Sequence, residues 1–290
     1  MARRIAWVTS AAARGTDPDE PLALAALRRR GVHVNVVDWH DPAVRWGDFD
    51  RAVLRSPWDY QQRTPEFLEW LDRAASLVDL RNPPAAVRWS LDKHYLLELA
   101  GAGVPVVETQ FVEPGSAVVV GEATSRGNAW IVKPSIGAGS SDVAVFCSGQ
   151  EEASRTHVAG LHGRGLTALV QPLLPSVGRD GEWPMVFFAG RFSHSANKFV
   201  RLPGASDTDR LFAAEDNRPH LADDEQLRVA SQALDVVQEH FGVLTYARID
   251  LVRADDGSYL VLEVEVFEPS LFLPEGGHDA VERCADALVA

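Results

Sequence analysis

Residues 242–273 read GVLTYARIDLVRADDGSYLVLEVEVFEPSLFL. Two apolar runs, rich in β-branched residues, flank the segment ADDG at residues 254–257. An Asp-Gly pair between such runs is typical of a β-hairpin, here with a two-residue turn at Asp256 and Gly257. Counting back from that turn predicts the pairing of the residues in both strands.

The predicted pairing places four charged side chains on one face of the hairpin. Asp250 falls opposite Glu263, and Arg248 falls opposite Glu265. Opposed carboxylates repel each other, so a positive charge is expected between them, and Mg²⁺ is a natural candidate. The alternative is a solvated face with one Arg248–Glu265 salt bridge. The other face of the hairpin is apolar and is predicted to pack in the core: Ile249, Leu251, Leu262, Val264 and Val266.

The composition is that of a folded, acidic protein. The chain has 290 residues, of which 46% are hydrophobic and 24% charged, and this length suits one to three packed units. The net charge of −13 argues against a nucleic-acid partner, because phosphate backbones bind basic surfaces. A small anion such as ATP could still bind in a local basic pocket.

Cysteine content and hydropathy predict a cytoplasmic protein. Two cysteines, Cys147 and Cys284, are too few for a disulfide framework or a structural zinc site. No apolar run approaches the length of a membrane span. The apolar run near the N-terminus is too short for a signal peptide.

The N-terminal third follows the βαβ pattern of a doubly wound parallel sheet. Strands are predicted at residues 5–8, 32–37 and 51–55, with helices at 21–30 and 65–75. The first strand is not followed by G-x-G-x-x-G, which argues against a dinucleotide site. This part is therefore expected to be an α/β scaffold.

The segment LRSPWDY, residues 54–60, lies beyond the carboxyl end of the third predicted strand. Open α/β sheets bind ligands at that end. Arg55 could hold the carboxylate of an amino acid, and Asp59 could hold its ammonium group. In the alternative interpretation, the loop is structural and its aromatic rings pack on the next helix.

Two lysines are candidates for contact with an anion. Ser90 is predicted to cap a helix that runs to Leu99 and places Lys93 in its first turn, where a positive charge opposes the helix dipole. Lys133 ends the apolar strand 130–134, and a half-buried lysine needs an anion. A phosphate would explain both positions, although Lys93 could also be a surface lysine.

A run of small residues, SIGAGSS at 135–141, follows Lys133. Such a segment lets backbone N–H groups approach phosphate oxygens. It is not a Walker A loop, because no Gly-Lys-Ser/Thr follows, and the alternative is a flexible hairpin loop. Further along, the backbone of 168–174 could bond an adenine edge, and the polar segment 201–218 could close over a ligand.

The strand that ends at Lys198 carries His194 on the same face, by the alternation of side chains. His194 is interpreted as a structural group and not as a catalytic base. Asp223 is predicted to cap a helix over residues 224–241, which ends at Gly242 just before the hairpin.

Taken in order, these segments resemble the ATP-grasp superfamily of carboxylate–amine ligases. The resemblance covers roughly residues 90–273, and its most specific parts are IVKPS with its glycine segment and the ARIDLV…LEVEVFEPS hairpin. It implies an α/β fold with an N-terminal doubly wound domain at 1–88 and a small lid subdomain at 108–170. A C-terminal subdomain with an antiparallel sheet would comprise 89–107 and 171–290.

The resemblance also implies roles for the residues that match the motifs of the superfamily. Catalytic roles fall to Arg248, Lys133 and Lys198. Contacts with ATP fall to Lys93, Lys133, Ser135, Gly137, Gly139, Ser140, Gln171, Leu173 and Glu182. Mg²⁺ would be held by Asp250, Glu263 and Glu265. The commonest pattern of the superfamily has asparagine in place of Glu265. Contacts with the substrate fall to Arg55, Asp59 and Ser270.

The implied activity is ATP-dependent and ADP-forming: a small amino-acid carboxylate becomes an acyl phosphate, and a nitrogen attacks it. The segments LRSPWDY, WSLDKHYLLELAGAGVPVVET and EVEVFEPSLFL resemble a bacterial subgroup of cyclo-ligases, which implies ring closure within one O-ureidoserine. The alternatives are an intermolecular ligase of the D-Ala–D-Ala or glutathione type, and a regulatory protein that binds ATP without turnover. The expected partner is a small amino-acid-like substrate, with no nucleic acid or membrane, and a homodimer is left open.

Overall fold

The computed structural model describes residues 3–116, 129–139, 141–200 and 215–290, which form three β-sheets with helices packed around them. None of the helices in these residues is long and apolar enough to cross a membrane.

The first sheet is parallel and has the strand order β2-β1-β3-β4. Its strands are β1 (Arg4–Thr9), β2 (His33–Asp38), β3 (Arg51–Ser56) and β4 (Asp79–Arg81), with helices α1 (Asp19–Arg29) and α2 (Thr64–Ala75) between them. Short 3-10 helices lie at Trp46–Asp48 and Tyr60–Gln62. The predicted α/β fold class is confirmed, with boundaries that differ from the prediction by one or two residues.

The helix predicted from Ser90 to Leu99 is wrong, because the chain forms two helices here: α3 (Pro84–Leu91) and α4 (Tyr95–Gly101). Ser90 does not cap a helix, since its hydroxyl donates to the Val264 carbonyl over 3.0 Å. Lys93 lies in the break, where its backbone N–H donates to the Ser135 carbonyl over 3.0 Å. A tertiary contact with the glycine segment therefore outweighs the local helical preference.

The second sheet is antiparallel and has the order β5-β8-β6-β7. Its strands are β5 (Gln110–Val112), β6 (Ala129–Pro134), β7 (Ala144–Cys147) and β8 (Ala168–Pro172), with helix α5 (Glu151–Gly163) against one face. Lys133 comes near the end of β6, as predicted, and the glycine segment connects β6 to β7.

The third sheet is antiparallel and has the order β11-β10-β9-β12-β13. The short helix α6 (Pro175–Asp180) leads into β9 (Trp183–Phe188), β10 (Arg191–Val200) and β11 (Glu215–His220). Helix α7 (Asp224–Phe241) then precedes β12 (Tyr246–Arg253) and β13 (Tyr259–Glu265). The predicted start of α7 is confirmed, because Asp223 and Gln226 form a reciprocal capping box.

The β12–β13 hairpin has the predicted pairs at its functional end but a different turn. Ala254 bonds with Ser258 across a three-residue loop in which Gly257 has φ of +90°, so the two-residue turn is wrong. The register then shifts by one residue between Asp250 and Leu251. This bulge offsets the longer turn, and Arg248 still faces Glu265.

The bulge also changes which face Leu262 occupies. Ile249, Leu251, Val264 and Val266 pack in the core against α7, as predicted. Leu262 instead packs in a small apolar cluster with Val252 and lines a cavity between the sheets. Its assignment to the core face of the hairpin is therefore wrong.

The last helix, α8 (Leu273–Val289), joins the first sheet to the third. Its apolar residues pack with both β1 and β9, and Arg30 on the α1 side forms a salt bridge of 2.6 Å with Asp286. At the start of α8, the buried Asp19 carboxylate accepts the backbone N–H groups of Leu271 and Leu273. The segment between β13 and α8 is thereby fixed against the N-terminal part of the chain.

Candidate active site

A cavity of about 670 Å³ lies where the three sheets meet. Trp58 reaches it from the loop after β3, Lys133 from β6 and Glu263 from β13. Its volume is within the usual range of small-molecule sites. A ligand bound there would contact all three sheets.

All the lysines of the chain are at this cavity. The sequence contains only Lys93, Lys133 and Lys198, and each of them lines the cavity wall. The other positive side chains, apart from histidine, are arginines. The scarcity of lysine is visible in the sequence and would have strengthened the prediction that Lys93 and Lys133 contact a phosphate.

Two of the lysines are paired with acids. Lys93 Nζ lies 2.9 Å from Glu263 Oε1, and Lys198 Nζ lies 2.8 Å from Glu182 Oε2. Burial opposes the charge on Lys93, but the Glu263 carboxylate outweighs it and raises the pKa of Lys93. Burial also acts to raise the pKa of Glu263, yet the two nearby lysines hold it well below its ordinary value.

Lys133 is different, because no described residue forms a salt bridge with it. Burial, the largest influence, lowers the pKa of Lys133, and the neighbouring Lys93 and Lys198 act in the same direction. A negatively charged ligand beside Lys133 would stabilise its charged form. The cavity therefore has a place for an anion next to this amine.

The hairpin acids and Arg248 form a buried cluster. Arg248 donates to both oxygens of Asp250 over 2.8 Å, also bonds Glu265, and donates to the Ser270 carbonyl over 3.1 Å. The Arg248–Glu265 salt bridge thus exists, with Arg248 buried and 22% of the Glu265 side chain exposed, so it is not part of a fully solvated face. Burial raises the pKa of Glu265 to about 7. Glu263 and Glu265 line the cavity beside Arg248.

One of the two predicted adenine contacts, Gln171, lines the cavity, which has an apolar end. Val107, Val177 and Val252 pack together there, and the Gln171 side chain donates to Thr109 over 2.8 Å. Leu173 does not line the cavity, and its backbone N–H is already bonded to the Ala129 carbonyl. The neighbouring residue Leu174 lines the cavity instead.

The glycine segment forms one side of the cavity through Gly137, Ala138 and Gly139. The Gly137 carbonyl accepts a hydrogen bond from Lys93 Nζ over 3.2 Å. Ser135 is buried beneath this wall and does not reach the cavity. Ser140 and most of the segment 201–218, predicted to close over a ligand, lie outside the described residues.

Of the predicted substrate contacts, only Ser270 lines the cavity. Arg55 is fully buried and donates to the Pro269 carbonyl over 2.8 Å, so the expectation that it contacts a ligand is corrected. Asp59 accepts a hydrogen bond of 2.7 Å from the Trp39 ring nitrogen and is likewise away from the cavity. Other residues of this wall were not predicted from the sequence: Thr16, Trp58, Glu268, Phe272 and Glu275.

His194 has a structural role, in agreement with its interpretation from sequence. Its Nε2 lies 2.8 Å from the Leu271 carbonyl and 3.1 Å from that of Phe272. Burial lowers the pKa of His194, so the neutral ring is favoured. The neutral imidazole donates from Nε2 and helps to fix the segment that leads into α8.

Two comparisons of sequence identify the family. A family model of the N-terminal domain of D-cycloserine synthetase DcsG matches residues 5–82. The cycloserine biosynthesis protein DcsG of Streptomyces lavendulae is 38% identical, over 98% of this chain and 97% of its own length. The chain belongs to the D-cycloserine synthetase family of ATP-grasp ligases. It is an ATP-dependent carbon–nitrogen ligase.

Solved structures agree with this family. The crystal structure of D-cycloserine synthetase DcsG superposes with a TM-score of 0.87 at 36% identity, covering 98% of both chains. The ATP-grasp ligase PsnB with its minimal precursor gives 0.66 at 18% identity, over 100% of this chain and 99% of PsnB. D-alanine–D-alanine ligase from Bacillus anthracis gives 0.66 at 14% identity, covering 99% and 96%. The predicted ATP-grasp fold is confirmed.

ATP-grasp ligases of known structure include complexes with Mg and ADP. In this member of the D-cycloserine synthetase family, Glu263 and Glu265 offer carboxylates to the cavity, whereas both oxygens of Asp250 are bonded to Arg248. The described residues contain no group of three or more acids, histidines or cysteines that could enclose an ion. Two carboxylates nevertheless fit Mg²⁺, which usually takes its other ligands from water and substrate phosphates.

Gly181 precedes the Glu182–Lys198 pair, and its backbone conformation lets the chain approach Lys198 closely. The backbones of these two residues exchange hydrogen bonds of 2.8 Å, and Gly181 has φ of +78°. A Cβ at Gly181 would lie 2.8 Å from the Lys198 carbonyl oxygen. We expect Gly181→Ala to lower the free energy of unfolding by about 1–3 kcal/mol and to raise the KM for ATP. Thermal melts and initial rates measure both effects.

Gly178→Ala is the matched control for this prediction. Gly178 lies in α6, and a Cβ there would have no atom within 4 Å. This variant is expected to keep the KM for ATP and to gain about 0.5–1 kcal/mol of stability. Equal behaviour of the two alanine variants would contradict the role given to Gly181.

Proposed function

We propose that this ligase converts O-ureido-D-serine to D-cycloserine within a single active site. The observation that carries the proposal is the near full-length similarity to the cycloserine biosynthesis protein of Streptomyces lavendulae. The site supports it, because one cavity holds three lysines, Arg248 and the carboxylates of Glu263 and Glu265. These groups suit phosphoryl transfer between ATP and a carboxylate.

The lysines would stabilise the charge that develops on the phosphates. Lys133, which forms no salt bridge with a described residue, would bind the transferred phosphoryl group. Lys93 would bind phosphate in exchange for part of its contact with Glu263. Mg²⁺, held by Glu263 and Glu265, would neutralise phosphate charge. Asp250 would be available to the ion only after Arg248 released one of its oxygens.

Arg248 would bind the reacting carboxylate of the substrate. Transfer of the γ-phosphoryl group breaks its bond to ADP and forms a bond to the carboxylate oxygen, which gives an acyl phosphate. The nitrogen on the side-chain oxygen then attacks the carbonyl carbon, the C–N bond closes the ring, and phosphate leaves. The carbamoyl group on that nitrogen is removed by water as carbamate. A guanidinium group stabilises both the acyl phosphate and the tetrahedral intermediate.

A phosphate-release assay with O-ureido-D-serine as the only amino acid tests this function. We expect one ADP and one phosphate per molecule of D-cycloserine, with the product identified by mass spectrometry. An intermolecular ligase would release phosphate only when a second amino acid is added, and the product mass would reveal a dipeptide. Tight binding of Mg·ATP with no phosphate release from any carboxylate would exclude ligase turnover.

A further inference from the structure

We propose that Glu268 binds the α-ammonium group of the amino-acid substrate and that Trp58 and Tyr60 position it. The proposal deepens the function above, because it assigns the recognition of the amino group that distinguishes an amino acid from a simple carboxylic acid. It also gives a purpose to the LRSPWDY segment, whose predicted ligand contacts, Arg55 and Asp59, do not line the cavity.

Glu268 is a buried acid on the cavity wall. It lies in the segment after β13, and 8% of the residue is exposed. Glu263 is paired with Lys93, and Glu265 with Arg248. No described residue forms a salt bridge with Glu268. Burial and the nearby Glu265 raise the pKa of Glu268 well above its ordinary value, and Lys93, the cation that opposes this, is already paired with Glu263. A ligand that brings a positive charge would therefore stabilise the ionised carboxylate of Glu268.

Two aromatic residues of the segment LRSPWDY contact Glu268. The Trp58 ring nitrogen donates to the Glu268 carbonyl over 3.2 Å. The Tyr60 hydroxyl donates to the Gly137 carbonyl over 3.3 Å, and it is close enough to the Glu268 carboxyl group to act on the pKa of that acid. Backbone and side chain are therefore both fixed by groups from the N-terminal sheet, and Tyr60 links the acid to the glycine segment.

The position of Glu268 relative to Arg248 suits a zwitterion. Arg248 donates to the Ser270 carbonyl, two residues beyond Glu268, so the guanidinium group and this acid belong to the same part of the wall. Arg248 would hold the α-carboxylate while Glu268 holds the α-ammonium group. In an amino acid the ammonium and carboxylate groups are attached to the same carbon. A site that binds both groups therefore needs an acidic and a basic side chain close together.

The test combines a change in the protein with a change in the substrate. Rates are measured for the wild type and Glu268→Gln with O-ureido-D-serine and with its analogue that lacks the α-amino group, 3-(ureidooxy)propanoic acid. We expect Glu268→Gln to raise the KM for the amino acid by about 10- to 100-fold and to leave the KM for ATP within about twofold. With the deaminated analogue, wild type and variant should have equal KM values.

Two further variants sharpen the test. Tyr60→Phe should raise the KM for the amino acid in the same direction but less, because the carboxylate remains and only its positioning is lost. Glu275→Gln changes the other acid in this part of the wall, and it should not alter the preference for the amino acid over its analogue. Thermal melts of all variants show whether each protein is folded at the assay temperature.

Several outcomes would overturn the proposal. Equal losses with both substrates would give Glu268 a structural role, and a raised Mg²⁺ requirement at unchanged KM for the amino acid would make it a metal ligand. If Glu275→Gln raised the KM for the amino acid and not that for its analogue, Glu275 would be the residue that binds the ammonium group. If the wild type does not act on O-ureido-D-serine, the function above fails. The same comparison is then made with the amino acid that gives most phosphate release and its deaminated analogue.

Discussion

Lys133→Ala is expected to lower kcat for ligation by about 10²- to 10³-fold, the usual cost of removing one preorganised group that stabilises transition-state charge. The reason is that Lys133 lines the cavity without a salt-bridge partner in the described residues. Its charged amine is therefore available to contact a phosphate. Phosphate release at saturating ATP and substrate measures the loss. Circular dichroism should show an intact fold, because no described ion pair is broken.

Two controls define the cause of this effect. Lys133→Arg keeps the charge and should recover part of the activity. Arg228→Ala removes a positive charge from the exposed surface of α7, where it pairs with Glu225, and should have full activity. Near-normal turnover in Lys133→Ala would contradict the proposed site as a whole.

Arg55→Met is expected to lower the free energy of unfolding by about 3–5 kcal/mol, the typical cost of removing one partner from a buried ionic group. Arg55 is fully buried, lies 3.5 Å from the Asp19 carboxylate and donates to the Pro269 carbonyl. Its guanidinium group also sits over the rings of Trp7 and Tyr246. Methionine fills similar space but leaves the buried acid without its cation. Urea denaturation followed by circular dichroism measures the change.

Arg29→Met is the matched control for Arg55→Met. Arg29 forms a salt bridge of 2.6 Å with Glu282, but more than half of its side chain, 56%, is exposed. Exposed pairs contribute little to stability. A small loss in Arg55→Met, similar to that of Arg29→Met, would mean that Arg55 is not essential to the fold and would reopen its predicted contact with the substrate.

The hairpin shows what sequence counting can establish and where it fails. Side-chain alternation and the Asp-Gly signal were enough to predict that Arg248 faces Glu265 and Asp250 faces Glu263. The turn itself is longer by one residue, and a bulge at Leu262 restores the register. Bulges depend on what the strand packs against and have no strong local signal. Leu262 was therefore assigned to the wrong face, although the charged pairs were correct.

The prediction of the substrate-binding residues failed for a different reason. Arg55 and Asp59 have the charges that an amino acid needs, and their sequence position after β3 was correct for a ligand site. Their side chains, however, point into contacts with Pro269 and Trp39. Glu268 lies more than 200 residues away from this loop in sequence and meets it in space through Trp58 and Tyr60. No periodicity in the sequence encodes such a contact.

The concentration of all three lysines at one cavity also has a practical consequence for handling the protein. Reagents that acylate amines have only these side chains and the α-amino group of the chain as targets. Coupling to an amine-reactive resin or dye would therefore modify the catalytic cavity, and Mg·ATP should protect against it. Among the three lysines, Lys133 has its pKa lowered by burial, which increases its share of free amine. The exposed thiol of Cys147 is the better point of attachment.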